Sequence, residues 1–77
     1  MNRPSAKARN EMSVAKVVEI TSESKTSFED SLQKGIRKAA ASLDNVRGAW
    51  VQEQSVVVEK DQIVAYRVNM KVTFVLK

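Results

Sequence analysis

Trp50 and Arg67 are the two side chains of this 77-residue chain best equipped to hold a ligand. Trp50, the single tryptophan, alternates with Gly48 and Gln52, so an extended backbone would put these three on one face. Such a patch is a platform on which a planar ligand could stack. A stacked aromatic pair contributes about 0.5–1.5 kcal/mol beyond area burial, enough to orient a ligand but not to hold it alone. The other reading of the same tryptophan is a packing residue at a contact between subunits. Arg67 offers a guanidinium that matches phosphate or carboxylate geometry. It too has a plainer reading, as a surface charge or an ion pair between subunits.

The rest of the inventory argues against catalysis. The chain has no histidine and no cysteine, which removes imidazole acid–base chemistry, thiol nucleophiles, disulfides and Cys/His zinc sites. No glycine-rich phosphate loop or nucleophile–base pair is present. Glu19, Glu23, Glu29, Asp30, Asp44, Glu53, Glu59 and Asp61 are scattered rather than convergent, as solvated charges and caps would be. The expectation is a protein that is not an enzyme.

The elements that must position these residues are legible from periodicity. Val14 to Ile20 is rich in β-branched residues and reads as a first strand, followed by a polar loop over Thr21 to Lys25. Thr26 with Glu29 three residues on forms a capping-box pattern. Phe28, Leu32, Ile36, Ala39, Ala40 and Leu43 then recur at helical spacing, so the helix is expected to end near Leu43. Gly35 interrupts it at a cost of about 1 kcal/mol against Ala, either to admit a neighbouring backbone or as simple tolerance. Val46 to Glu59 reads as a second strand. Its Val46, Gly48, Trp50, Gln52 and Gln54 face one way and Arg47, Ala49, Val51 and Glu53 the other, with a bend or bulge near Val56-Val57-Val58. Glu59 to Gln62 is a tight turn into a third strand over Ile63 to Lys77, where Tyr66, Val68, Met70, Val72, Phe74 and Leu76 alternate with polar residues. The fold class is α+β: a β-α-β-β protomer whose three-stranded antiparallel sheet wraps around one helix.

One short helix is little cover for such strands. Chains this short bury only about 60% of their unfolded surface and need staples or partners. With disulfides and zinc excluded, self-assembly is the route left.

The net charge of +4 divides evenly. Residues 1–11 carry a surplus of two, and the remainder holds ten basic residues against eight acidic ones, interspersed. That pattern lacks the basic stripe of a nucleic-acid binder, so no nucleic-acid partner is expected. Residues 1–11 read as a disordered extension and residues 12–77 as one domain. No apolar run approaches the roughly 18 residues of a membrane span and no secretion signal is visible, so a cytoplasmic protein with no membrane partner is expected.

Three stretches carry a family resemblance: the opening MSVAKVVEITSES from Met12, the capped helix and its exit SFEDSLQKGIRKAAASLDNVRGAWV, and the closing AYRVNMKVTFVLK. Together with the β-α-β-β order they make the chain from Met12 to Lys77 resemble the dodecins, small bacterial and archaeal proteins. The resemblance implies a hollow homododecamer of cubic symmetry. It further implies flavins (riboflavin, FMN or related compounds) bound as stacked pairs near two-fold axes, for storage rather than turnover. In flavin-binding members a tryptophan early in the second strand stacks on the ring and a glutamine early in the third bonds its polar edge. Those positions fall here on Gly48 and Arg67, with Trp50 two residues away, about 7 Å along the strand. The segment RGAWVQEQ looks more like the branch without the flavin tryptophan, in which calcium is associated with the shell. The resemblance therefore implies a binding patch of Trp50, Arg67, Gly48 and Gln52 for flavin, with calcium as the alternative ligand.

Overall fold

The computed structural model describes residues 14–76. The extension expected over residues 1–11, and a domain start at Met12, lie outside these described residues. Four elements follow in the order expected: β1 (Val14–Ser24), α1 (Phe28–Ser42), β2 (Val46–Glu59) and β3 (Gln62–Leu76). The three strands form one antiparallel sheet in the order β1-β3-β2, so the most regularly alternating strand is the central one.

One face of β3 makes the core. Val68, Met70 and Val72 are buried, with Ala39 of the helix packed on them and Val18, Ile20, Phe28, Leu32, Ile36, Leu43, Val46 and Ala49 around the margin. The helix turns its slimmest stripe to the sheet: Ser31, Gly35 and Ala39, spaced four apart, are its buried residues. Phe28 meets Tyr66 edge-on, ring centroids 5.2 Å apart, and anchors the start of the helix. Gly35 is explained by a close approach, but of side chains rather than of backbone. A Cβ at Gly35 would overlap the Met70 Cε methyl and would lie 3.2 Å from the Ser22 Cβ.

Local chemistry moves two boundaries from their expected places. β1 does not stop at Ile20; Thr21 to Ser24 continue it, paired in register with Asn69 to Tyr66. Polar side chains on the open face of a sheet are at home in a strand, and here Asn69 donates to the Thr21 hydroxyl at 2.9 Å. The helix cap falls on Ser27 instead of Thr26, with the Asp30 N–H donating to Ser27 Oγ at 3.0 Å. The Thr26 N–H is engaged by Ser24 Oγ at 2.9 Å, and Ser24 Oγ in turn donates to the Asp30 carboxylate at 2.6 Å. That hydrogen bond fixes Asp30, so the cap pattern is Ser27-x-x-Asp30. Glu29 and Asp30 suit the helix start, but no basic residue occupies the last turn.

Left-handed backbone makes the two sharp turns. Asn45 (φ 62°) steers the chain from α1 into β2. Lys60 (φ 52°) and Asp61 (φ 65°) form the two-residue turn between the paired Glu59 and Gln62. Positive φ at both central residues is the primed hairpin geometry that matches strand twist.

The helix is too short for the sheet. Fifteen helical residues span about 22 Å, whereas the fifteen of β3 span about 50 Å, and the longest dimension is 56 Å. Before Tyr66, β3 has no β1 partner and pairs with β2 alone. This two-stranded ribbon leaves Val58, Ile63 and Val64 exposed, Val58 by 56%.

Candidate functional site

The face of the sheet opposite the helix carries the polar residues of β3 from Arg67 onward. Arg67, Asn69, Lys71 and Thr73 run along its centre, flanked by Glu23, Thr21, Glu19 and Val17 on β1. On the β2 side the register sets Ser55, Glu53, Trp50 and Gly48 against them.

Bulges in β2 decide which residues reach this face. The register shifts between Val46 and Gly48 and between Val51 and Glu53, where Arg47 and Gln52 are the extra residues of β2; at a third shift, between Val57 and Val58, the extra residue is Val64 of β3. Each extra residue reverses the alternation beyond it. Val46 and Gln54, expected beside Trp50, pair instead with Phe74 and Val68 and so belong to the helix-side face. Glu53, expected on the far face, joins Trp50's face opposite Asn69. Gln52 sits within the second bulge, exposed and without a partner on β3, and does not continue the Gly48–Trp50 row.

Gly48 and Trp50 are brought together. Trp50 is 49% exposed and stands directly opposite Lys71. Gly48 stands opposite Thr73, whose hydroxyl donates to the Gly48 carbonyl at 3.2 Å. A Cβ at Gly48 would meet only that hydroxyl, at 3.5 Å, so the surface beside the indole is open and flat.

Arg67 is not part of this patch. It pairs with Ser55 and Glu23, four residues along β3 from Lys71, or about 13 Å. Its Nε and Nη2 both donate to Glu23 Oε1, at 3.1 and 2.8 Å. The guanidinium is thus engaged within its own chain, and both partners remain about half exposed. The exposed indole and the bare Gly48 backbone form a flat surface, and Arg67, expected beside it, stands apart.

No group of three or more acidic side chains suited to a metal ion occurs among the described residues. Away from this face, Asp30 is held below its ordinary value of 3.8, first by the hydrogen bond from Ser24 and then by Lys34. That carboxylate serves the helix start. Among the described residues, no helix is long and apolar enough to cross a membrane.

Sequence periodicity could not single out Lys71 and Thr73 as neighbours of the tryptophan. Both read there as generic polar positions, and only the bulged register of β2 puts them beside Trp50 and Gly48.

Comparison with known proteins agrees with the architecture. The family model for Dodecin matches residues 14–77. A protein named calcium dodecin, from Mycobacterium tuberculosis (strain ATCC 25618 / H37Rv), is 35% identical over 66 residues, covering 86% of this chain and 93% of its own. Among solved structures, the dodecin from Streptomyces davaonensis matches with a TM-score of 0.82 at 27% identity, covering 86% of this chain and 97% of its own. The crystal structure of the Mycobacterium tuberculosis calcium dodecin, described as having a novel calcium-binding site, matches with a TM-score of 0.74 at 33% identity, covering 83% and 91%. One helix laid across a β1-β3-β2 antiparallel sheet, matched over nearly every described residue, places this chain in the dodecin family.

Proposed function

We propose that this chain is a non-catalytic subunit of a closed homododecamer that sequesters a flavin (FMN or riboflavin) or a related planar ligand against Trp50. The observation that carries the reading is the half-exposed indole on a rigid strand, beside the bare backbone of Gly48 and on the face without a helix. Assembly is supported by the apolar residues the helix does not reach: Val51 and Val56 on β2, and Val58, Ile63 and Val64 at the ribbon. A two-stranded ribbon is marginal alone in water, and burying these side chains against other copies supplies what one chain lacks.

A second reading is a dodecameric shell that holds calcium instead of flavin. It is favoured by the name of the mycobacterial relative and by the engagement of Arg67 with Glu23. In that case carboxylates converge from several copies, since the described residues of one chain do not group three of them.

Light scattering coupled to size exclusion, with an absorbance scan of the same peak, tests assembly and retained flavin together. Added riboflavin should lose its fluorescence on titration with the protein, and Trp50→Ala should abolish the quenching. A monomeric peak would refute the assembly. Unquenched riboflavin at micromolar protein, together with calcium uptake by the assembled peak, would replace the first ligand with the second.

A further inference from the structure

We infer that Lys71 makes the Trp50 patch select planar ligands that carry a negative group, phosphate or carboxylate, over neutral ones; this rests on the stacking role proposed for Trp50. Directly opposed residues on one face of an antiparallel pair have Cβ atoms about 4.5–5.5 Å apart. Lys71 and Trp50 are such a pair. A ring on the indole therefore lies within reach of one flexible ammonium. Arg67, in the same row of β3, is about 13 Å away and holds Glu23.

Lys71 is free to take this part. The two ion pairs among the described residues are Lys34–Asp30 and Arg67–Glu23, and neither uses it. Its cross-strand neighbour on β1 is Glu19, a carboxylate in register but not within ion-pair distance. The surroundings also fix how a ligand must lie. Glu53, opposite Asn69, borders the patch on one side and repels an anion, while Gly48 and Thr73 leave the other side open. The ring then extends from Trp50 over Gly48, with its charged group turned inward to Lys71.

FMN and riboflavin share one ring system and differ by a phosphate, which makes them the right probes. Fluorescence titrations of the assembled protein should give FMN about a two- to fivefold tighter Kd at low salt, the range of one exposed ion pair. Raising the salt should shrink that ratio. Lys71→Met should remove the preference while riboflavin binds as before, Lys71→Arg should keep it, and Glu19→Gln should widen it. Equal affinities for the two flavins, or an equal loss of both in Lys71→Met, would overturn the role of Lys71 and leave the stacking intact. Binding of neither flavin would overturn both.

Discussion

Gly35→Ala tests how closely α1 lies on the sheet. The added Cβ would overlap the Met70 Cε, stand 3.1 Å from its sulfur and 3.2 Å from the Ser22 Cβ. Met70 is fully buried, so its tip has no solvent to swing into. Forcing an extra carbon into a packed core costs about 1–3 kcal/mol, while alanine in a helix interior is better than glycine by about 1 kcal/mol. The net expectation is a loss of up to about 2 kcal/mol. The decisive variant is the same change in a Met70→Val background. Shortening Met70 lowers stability by about 2 kcal/mol on its own, as large-to-small core changes do, but it also removes the obstructing atoms. There only the Ser22 Cβ, at 3.2 Å, still crowds the new methyl, the helix gain of about 1 kcal/mol offsets most of what is left, and Gly35→Ala becomes close to neutral. Urea unfolding of the four proteins at one subunit concentration reads the coupling, since any assembly contributes to apparent stability. Equal effects of Gly35→Ala in both backgrounds, to within about 0.5 kcal/mol, would refute the packing argument.

Two further expectations follow from local geometry. Replacing Lys60-Asp61 by Asn-Gly should raise stability by about 1 kcal/mol, because both residues hold positive φ in a primed turn that those types adopt without strain; an unchanged melting temperature would count against it. Asp30 has a lowered folded-state pKa, so its contribution is complete above its ordinary value of 3.8 and is lost as the pH falls below that value. Ser24→Ala should raise the Asp30 pKa, followed by carbon-detected NMR titration, and move acid unfolding to higher pH. Lys34→Gln should do so less, and a larger effect from Lys34 would show the hydrogen bond is not the main cause.

Element order and type were legible because each carries its own period: three-to-four spacing from Phe28 to Leu43, alternation from Tyr66 to Leu76. The tight turn at Lys60-Asp61 was legible from polarity and length. Three things were not. Thr21 to Ser24 read as a loop because the polarity of Thr21 and Glu23 is explained only by Asn69 and Arg67 across the sheet, and that of Ser24 by Asp30 at the helix start. The cap shifted from Thr26 to Ser27 because a hydrogen bond from Ser24, outside the usual capping window, fixes Asp30. The irregularity expected near Val56-Val57-Val58 is present as a register shift between Val57 and Val58, but the bulges at Arg47 and Gln52 leave no mark in residue type, so Gln54 and Glu53 changed sides unannounced. The patch inherits that pattern: Gly48 and Trp50 stand together as their spacing implied, whereas Gln52 and Arg67 do not join them.

The strand order has a consequence for how the chain comes into being. β1 and β2 never touch through hydrogen bonds; each relies entirely on β3, the last of the three to leave the ribosome. Val14 must wait for Leu76, its partner at the far end of the sequence. Until then β1 is a nascent, valine-rich segment with no mate, the kind of exposure that invites misassociation. Clipping the C-terminal strand would accordingly dismantle the entire sheet rather than trim its border.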